Sequence, residues 1–83
     1  MRDAVRAEDL GTPRCWTIAL ERPNGSWSDT HARELTDAEQ LLRARLAAEE
    51  LDGTRLAVLI TRSDGARVTA CAATRDAGAW RWL

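Results

Sequence analysis

The spacing of apolar and polar residues changes three times along this chain, and each change marks an element. The longest unbroken apolar run is Leu56-Ala57-Val58-Leu59-Ile60, with β-branched Val58 and Ile60 two positions apart. It reads as a central β-strand covered on both faces. Asp64-Gly65, a strong hairpin signal, separates it from a second strand-like segment, Val68 to Thr74. Arg75-Asp76-Ala77-Gly78 makes a further turn into Ala79-Trp80-Arg81-Trp82-Leu83, where the two tryptophans share one face and Arg81 takes the other. Upstream, Trp16, Ile18 and Leu20 alternate with Cys15, Thr17 and Ala19, the pattern of a half-buried strand. Pro23-Asn24-Gly25 turns the chain, and Ser26 to Thr30 reads as a weak return strand at a sheet edge.

Between these β regions the period lengthens to that of a helix. Thr36-Asp37-Ala38-Glu39 has the capping-box pattern, the body from Asp37 to Leu51 is rich in Ala, Leu, Glu, Gln and Arg, and Asp52-Gly53 supplies a stop. Leu35, Ala38, Leu41, Leu42, Ala44, Leu46, Ala48 and Leu51 project onto one broad arc, opposite Glu39, Gln40, Arg43 and Glu50. Arg45 and Glu49 interrupt that arc four residues apart. They are expected to bridge the rim of the core with their charged heads in water, the alternative being a grip on a partner. Glu49-Glu50 reads as a solvated helix end. The whole pattern is α+β: a β-β-α-β-β-β order, an antiparallel sheet with one amphipathic helix across one face. Residues 15–83 form the single domain, preceded by residues 1–14 as a flexible tail or one loosely docked turn.

Composition narrows the functional classes. Eighty-three residues make one thin two-layer core without a deep enclosed pocket. Twelve basic residues face thirteen acidic ones, so no strong overall field draws nucleic acid or an anionic membrane. Every basic residue is Arg, Lys, Phe and Tyr are missing and Ala is abundant, a bias that matches the codon usage of a GC-rich bacterium or its phage. No apolar run approaches the ~20 residues of a membrane span, and no apolar block follows the first arginines, so a cytoplasmic protein is expected. Cys15 and Cys71, without CxxC spacing, are expected as small buried hydrophobes.

Catalytic chemistry finds no support. His31 stands near Ser26, Ser28 and Asp29, but no strained nucleophile turn accompanies them, and a triad needs converging geometry rather than adjacency in sequence. One histidine and two distant cysteines do not make a metal site, and each glycine falls at an element end. No enzyme activity, cofactor or metal is expected.

The charge is unevenly placed. Residues 34–53 carry six acids against two arginines, and residues 54–83 carry five arginines against two acids. A single helix shelters only one face of an apolar central strand. The other face, bearing arginines, small residues such as Ala70 and Ala72, and Trp80 and Trp82, or else the edge beside the last strand, is expected to bind protein, most simply a second copy in a homodimer with the two tryptophans as anchors. The candidate interaction residues are Trp80, Trp82, Arg62, Arg67 and Arg81. The competing reading places Trp80 and Trp82 in the core with Trp16. The alternative function is nucleic-acid binding, with tryptophans stacking bases and Arg62, Arg67, Arg75 and Arg81 on phosphates.

Overall fold

The computed structural model describes residues 15–83, so the segment 1–14 read as a tail lies outside the described residues. Among these described residues, five strands and one helix follow in the order β1 (Cys15–Glu21), β2 (Trp27–Ala32), α1 (Leu35–Ala48), β3 (Arg55–Thr61), β4 (Arg67–Asp76) and β5 (Ala79–Trp82). The strands form one antiparallel sheet in the order β2-β1-β3-β4-β5. β2 and β3 both flank β1, so the connection between them must pass over it, and α1 makes that crossing. This is the α+β architecture read from the sequence, and it places the helix on one face.

Alternation within each strand sorts side chains between the two faces. Ile18, Leu20, Leu56 and Val58 form the buried centre beneath α1, joined by Trp16, Leu41, Leu42, Leu46, Cys71 and Trp80. In the middle strand, Leu56, Val58 and Ile60 are buried while Ala57 and Leu59, on the other side, are only half-buried. The pairing of β3 with β4 shifts between Val58 and Leu59, leaving Ala70 as an extra residue. A one-residue insertion of this kind resets which side chains face the core. Here it lets Val68 oppose Ile60 while Cys71 opposes Val58, and sends Ala72 to the open side opposite Ala57.

Three tight turns carry the hairpins, the first joining β1 to β2 through Arg22–Ser26. Gly65 takes φ 88° in the Arg62–Ala66 turn, where Asp64 Oδ1 accepts from the Ala66 amide at 2.9 Å. Ala77 and Gly78 both have positive φ, which closes β4 onto β5 with two residues between them.

Five expectations for the helical region need correction. The helix begins at Leu35 with Glu34 as its cap residue and no side-chain cap bond, so Thr36 lies inside the first turn and the capping box does not form. The helix ends at Ala48 rather than Leu51, because Glu49 has turned extended at ψ 127°. The inward stripe is narrower than the arc projected: Ala38 is buried and Leu41, Leu42, Arg45, Leu46 and Glu49 half-buried, while Leu35, Ala44 and Ala48 face solvent. Arg45 and Glu49 are separate contacts, Arg45 Nη2 donating to Thr30 Oγ1 at 2.9 Å and Glu49 accepting two bonds from Arg22.

The Arg22–Glu49 contact is a two-pronged ion pair, Nε to Oε1 at 2.8 Å and Nη2 to Oε2 at 3.0 Å. The Glu49 side chain is only 10% exposed, so it is no solvated helix end but a clasp between the β1–β2 turn and the end of α1. The hydrogen bonds that the Arg22 guanidinium donates to the Glu49 carboxylate hold its pKa above the ordinary arginine value.

Candidate interaction surface

The face of the sheet turned away from α1 carries cross-strand rows. Register sets Trp27, Glu21, Arg55, Thr74 and Arg81 side by side across all five strands. The next row runs Asp29, Ala19, Ala57 and Ala72, with the Leu83 amide donating to the Ala72 carbonyl at 2.9 Å. A third row holds His31, Thr17, Leu59 and Thr69.

Three alanines in one row lower the middle of this face. Ala19, Ala57 and Ala72 floor a shallow groove of about 340 Å³, with Trp27 and Leu83 as walls and Glu21, Asp29, Arg55 and Thr74 at its rim. Trp27 is 69% exposed and Leu83 86%. Large apolar side chains standing clear of a small-residue floor are the usual form of an anchor site rather than of a finished surface.

Charge divides across the same face. Glu21 and Asp29 lie on the β2–β1 side, Arg55 and Arg81 on the β3–β5 side. Arg55 Nε stands 3.9 Å from Glu21 Oε1, and Arg81 Nη2 3.7 Å from Asp76 Oδ2, all four side chains largely in water. Screening keeps such pairs weak, so each group is free to meet another partner at little cost.

Thr17 is buried on this face, and its Oγ1 shares a hydrogen bond of 2.9 Å with His31 Nδ1. Cys15 Sγ lies 3.7 Å from the same hydroxyl. His31 is therefore occupied by a threonine rather than by Ser26, Ser28 or Asp29. Both cysteines are free thiols, Cys15 on the open face and Cys71 beneath the helix. Among the described residues no three of His, Cys, Asp and Glu converge as metal ligands. Likewise, among the described residues no helix is long and apolar enough to cross a membrane.

The five candidate residues fall in different places. Trp80 lies on the helix side, packed on the core with its indole Nε1 donating to the Leu46 carbonyl at 2.9 Å. Trp82 shares that side of β5 beyond Trp80 and is 53% exposed. Arg67, at the start of β4 opposite Thr61, and Arg81, on β5 opposite Thr74, both lie on the open face, far apart along β4. Arg62 sits in the β3–β4 turn, its Nη2 3.5 Å from Asp64 Oδ2. Arg75 points to the helix side and stands 3.5 Å from Asp52 Oδ1. These arginines do not form one stripe.

Sequence reasoning passed over Trp27, Leu83, Glu21, Arg55 and the alanine row. A signal for them was present: Ala19, Ala57 and Ala72 are the small residues of alternating strands, and a two-stranded register through Pro23–Gly25 sets Trp27 opposite Glu21. No family model, curated protein or solved structure matches this chain.

Proposed function

We propose that this protein is a non-enzymatic interaction module that self-associates as a homodimer through the open face of its sheet. The observation that carries the reading is the alanine-floored groove on the side of β1, β3 and β4 that no other element covers among the described residues, flanked by exposed Trp27 and Leu83. Ala57 and Leu59 belong to the central strand yet stay half-exposed, so a second layer gains apolar area that the helix leaves uncovered. The two free thiols fit a reducing compartment such as the cytoplasm.

Area sets the strength. Five strands at ~4.8 Å spacing and three to four rows at ~6.7 Å give a face of about 500 Å², hence about 1,000 Å² buried by two copies, at the lower bound for specific interfaces. The association is accordingly reversible, with a dissociation constant in the micromolar range, on the order of 1–100 µM.

Amide chemical shifts followed on dilution from ~500 to ~5 µM test the reading across that range. The amides of Ala19, Ala57 and Ala72 and the Trp27 indole should move along one binding curve, while Glu39 and Arg43 on the outer helix stay fixed. Spectra that do not change with concentration, or changes confined to the helix, contradict it.

A further inference from the structure

The geometry points to one arrangement of the two copies: a face-to-face pair about a two-fold axis that lies in the interface, parallel to the strands and between β1 and β3, with Glu21 of each copy against Arg55 of the other. This inference rests on the proposed self-association and specifies its partner contacts.

The reasoning begins from what a two-fold axis does to a charged face. An interface of this symmetry sets one patch against itself, so it closes without repulsion only if the patch is self-complementary. An axis along the strands reverses the strand order from left to right and keeps the cross-strand rows aligned. On this face the acids Glu21 and Asp29 lie to one side, and Arg55, Arg67 and Arg81 lie to the other with the single acid Asp76 beside Arg81, which leaves that flank net basic. Reversal therefore lays the acidic flank of one copy over the basic flank of the second.

The position of the axis follows from neighbouring charges. Placed along β3, it sets Arg55 against Arg55. Placed between β1 and β3, which are hydrogen-bonded neighbours, it gives two reciprocal Glu21–Arg55 contacts, and the same shift sets Ala19 over Ala57 of the second copy. Trp27 then falls over Thr74 of the second copy, beside its Arg81, where an indole face can meet a guanidinium. Alanines at the centre allow the sheets to approach closely, and the net charge of −1 per copy adds little long-range repulsion. Glu21 and Arg55 side chains are 66% and 74% exposed, so both can turn from their present 3.9 Å contact toward a partner.

A charge exchange tests this, using the full chain. Glu21→Arg alone sets arginine against arginine at both contacts, and Arg55→Glu alone sets glutamate against glutamate. Each variant should dimerise at least ~10-fold more weakly than wild type. Mixed in equal amounts, the two variants restore opposite charges at both contacts, and the mixed dimer should return to within about threefold of wild-type affinity. An intramolecular role for the Glu21–Arg55 contact is not rescued by mixing. Arg43→Glu, on the outer helix, controls for net charge and should leave association unchanged; circular dichroism confirms that each variant folds. Variants that dimerise like wild type, or that weaken and are not rescued by mixing, overturn the arrangement while leaving self-association standing. A wild-type chain that stays monomeric overturns the reading on which it rests.

Discussion

Trp80 offers the sharpest test of how the helix is held on the sheet. The Leu46 carbonyl lies in the last turn of α1, where the helix itself supplies no donor, and Trp80 Nε1 satisfies it at 2.9 Å from 34 residues further along the chain. Trp80→Phe keeps most of the ring's contact with the core and removes that donor, which costs about 1 kcal/mol for a carbonyl left without its bond. Trp80→Ala also removes the half-buried ring that packs on the core beside the Leu46 carbonyl, so about 3 kcal/mol is expected, the low end for a tryptophan truncation. A chain of 83 residues has a total stability of roughly 4–12 kcal/mol. The phenylalanine variant should therefore melt ~4–8 °C lower, and the alanine variant should lose a large fraction of its stability. Urea unfolding followed by far-UV circular dichroism measures both, with an unchanged m-value as the sign that the same fold is being compared. Trp82→Ala, at a 53% exposed position, should cost well under 1 kcal/mol. If Trp80→Ala costs no more than Trp82→Ala, or Trp80→Phe is neutral, the indole does not fasten the helix and the packing described above is wrong.

Three further outcomes follow from particular contacts. Trp27→Ala should leave the melting temperature within about 2 °C of wild type but weaken dimerisation at least ~10-fold in a dilution series, since the ring is 69% exposed in one chain and serves as an anchor between two. Gly53→Ala should cost about 1–2 kcal/mol in urea unfolding, because φ 91° strains any residue with a Cβ, whereas Gly53→Asn should lose less; the new Cβ meets Pro23 only at an ordinary 3.4 Å, so backbone strain alone accounts for the loss. Arg22→Ala leaves the Glu49 carboxylate with 10% exposure and no guanidinium, and should lower the melting temperature more than Arg43→Ala, with Arg22→Lys in between. Because the Arg22 value is raised in the folded chain, its contribution is complete below the ordinary arginine range and is lost only above it, so its own titration adds no slope between about pH 6 and 9.

Much of this fold was legible because its signals are local. The unbroken run at Leu56 to Ile60, the alternation from Cys15 to Leu20 and the Asp64-Gly65 turn each specify a strand or hairpin from a few neighbouring residues. The helix ends were not legible. Thr36 and Glu39 have the right types for a cap, but the chain leaving β2 at Ala32 enters the helix early, and Arg22, 27 residues away, draws Glu49 out of it. Such a contact leaves no trace in the spacing around either residue.

The open face was legible in kind and not in membership. Period two states that Trp80 and Trp82 share a side, but which side depends on register carried through β4, and there the bulge at Ala70 reverses the count. Trp27 looked like a stray aromatic in a polar strand. Only its pairing with Glu21 shows that it stands over the alanine row. The surface is thus built from residues that are unremarkable one at a time and meaningful only as a cross-strand row.

Sedimentation equilibrium on the wild-type chain, from about 1 to about 300 µM, tests self-association most directly. The mass should rise from that of one 9.2 kDa chain to twice that value, with the midpoint in the micromolar range. A mass that stays at 9.2 kDa up to the highest concentration would show that the alanine-floored face closes on no second copy.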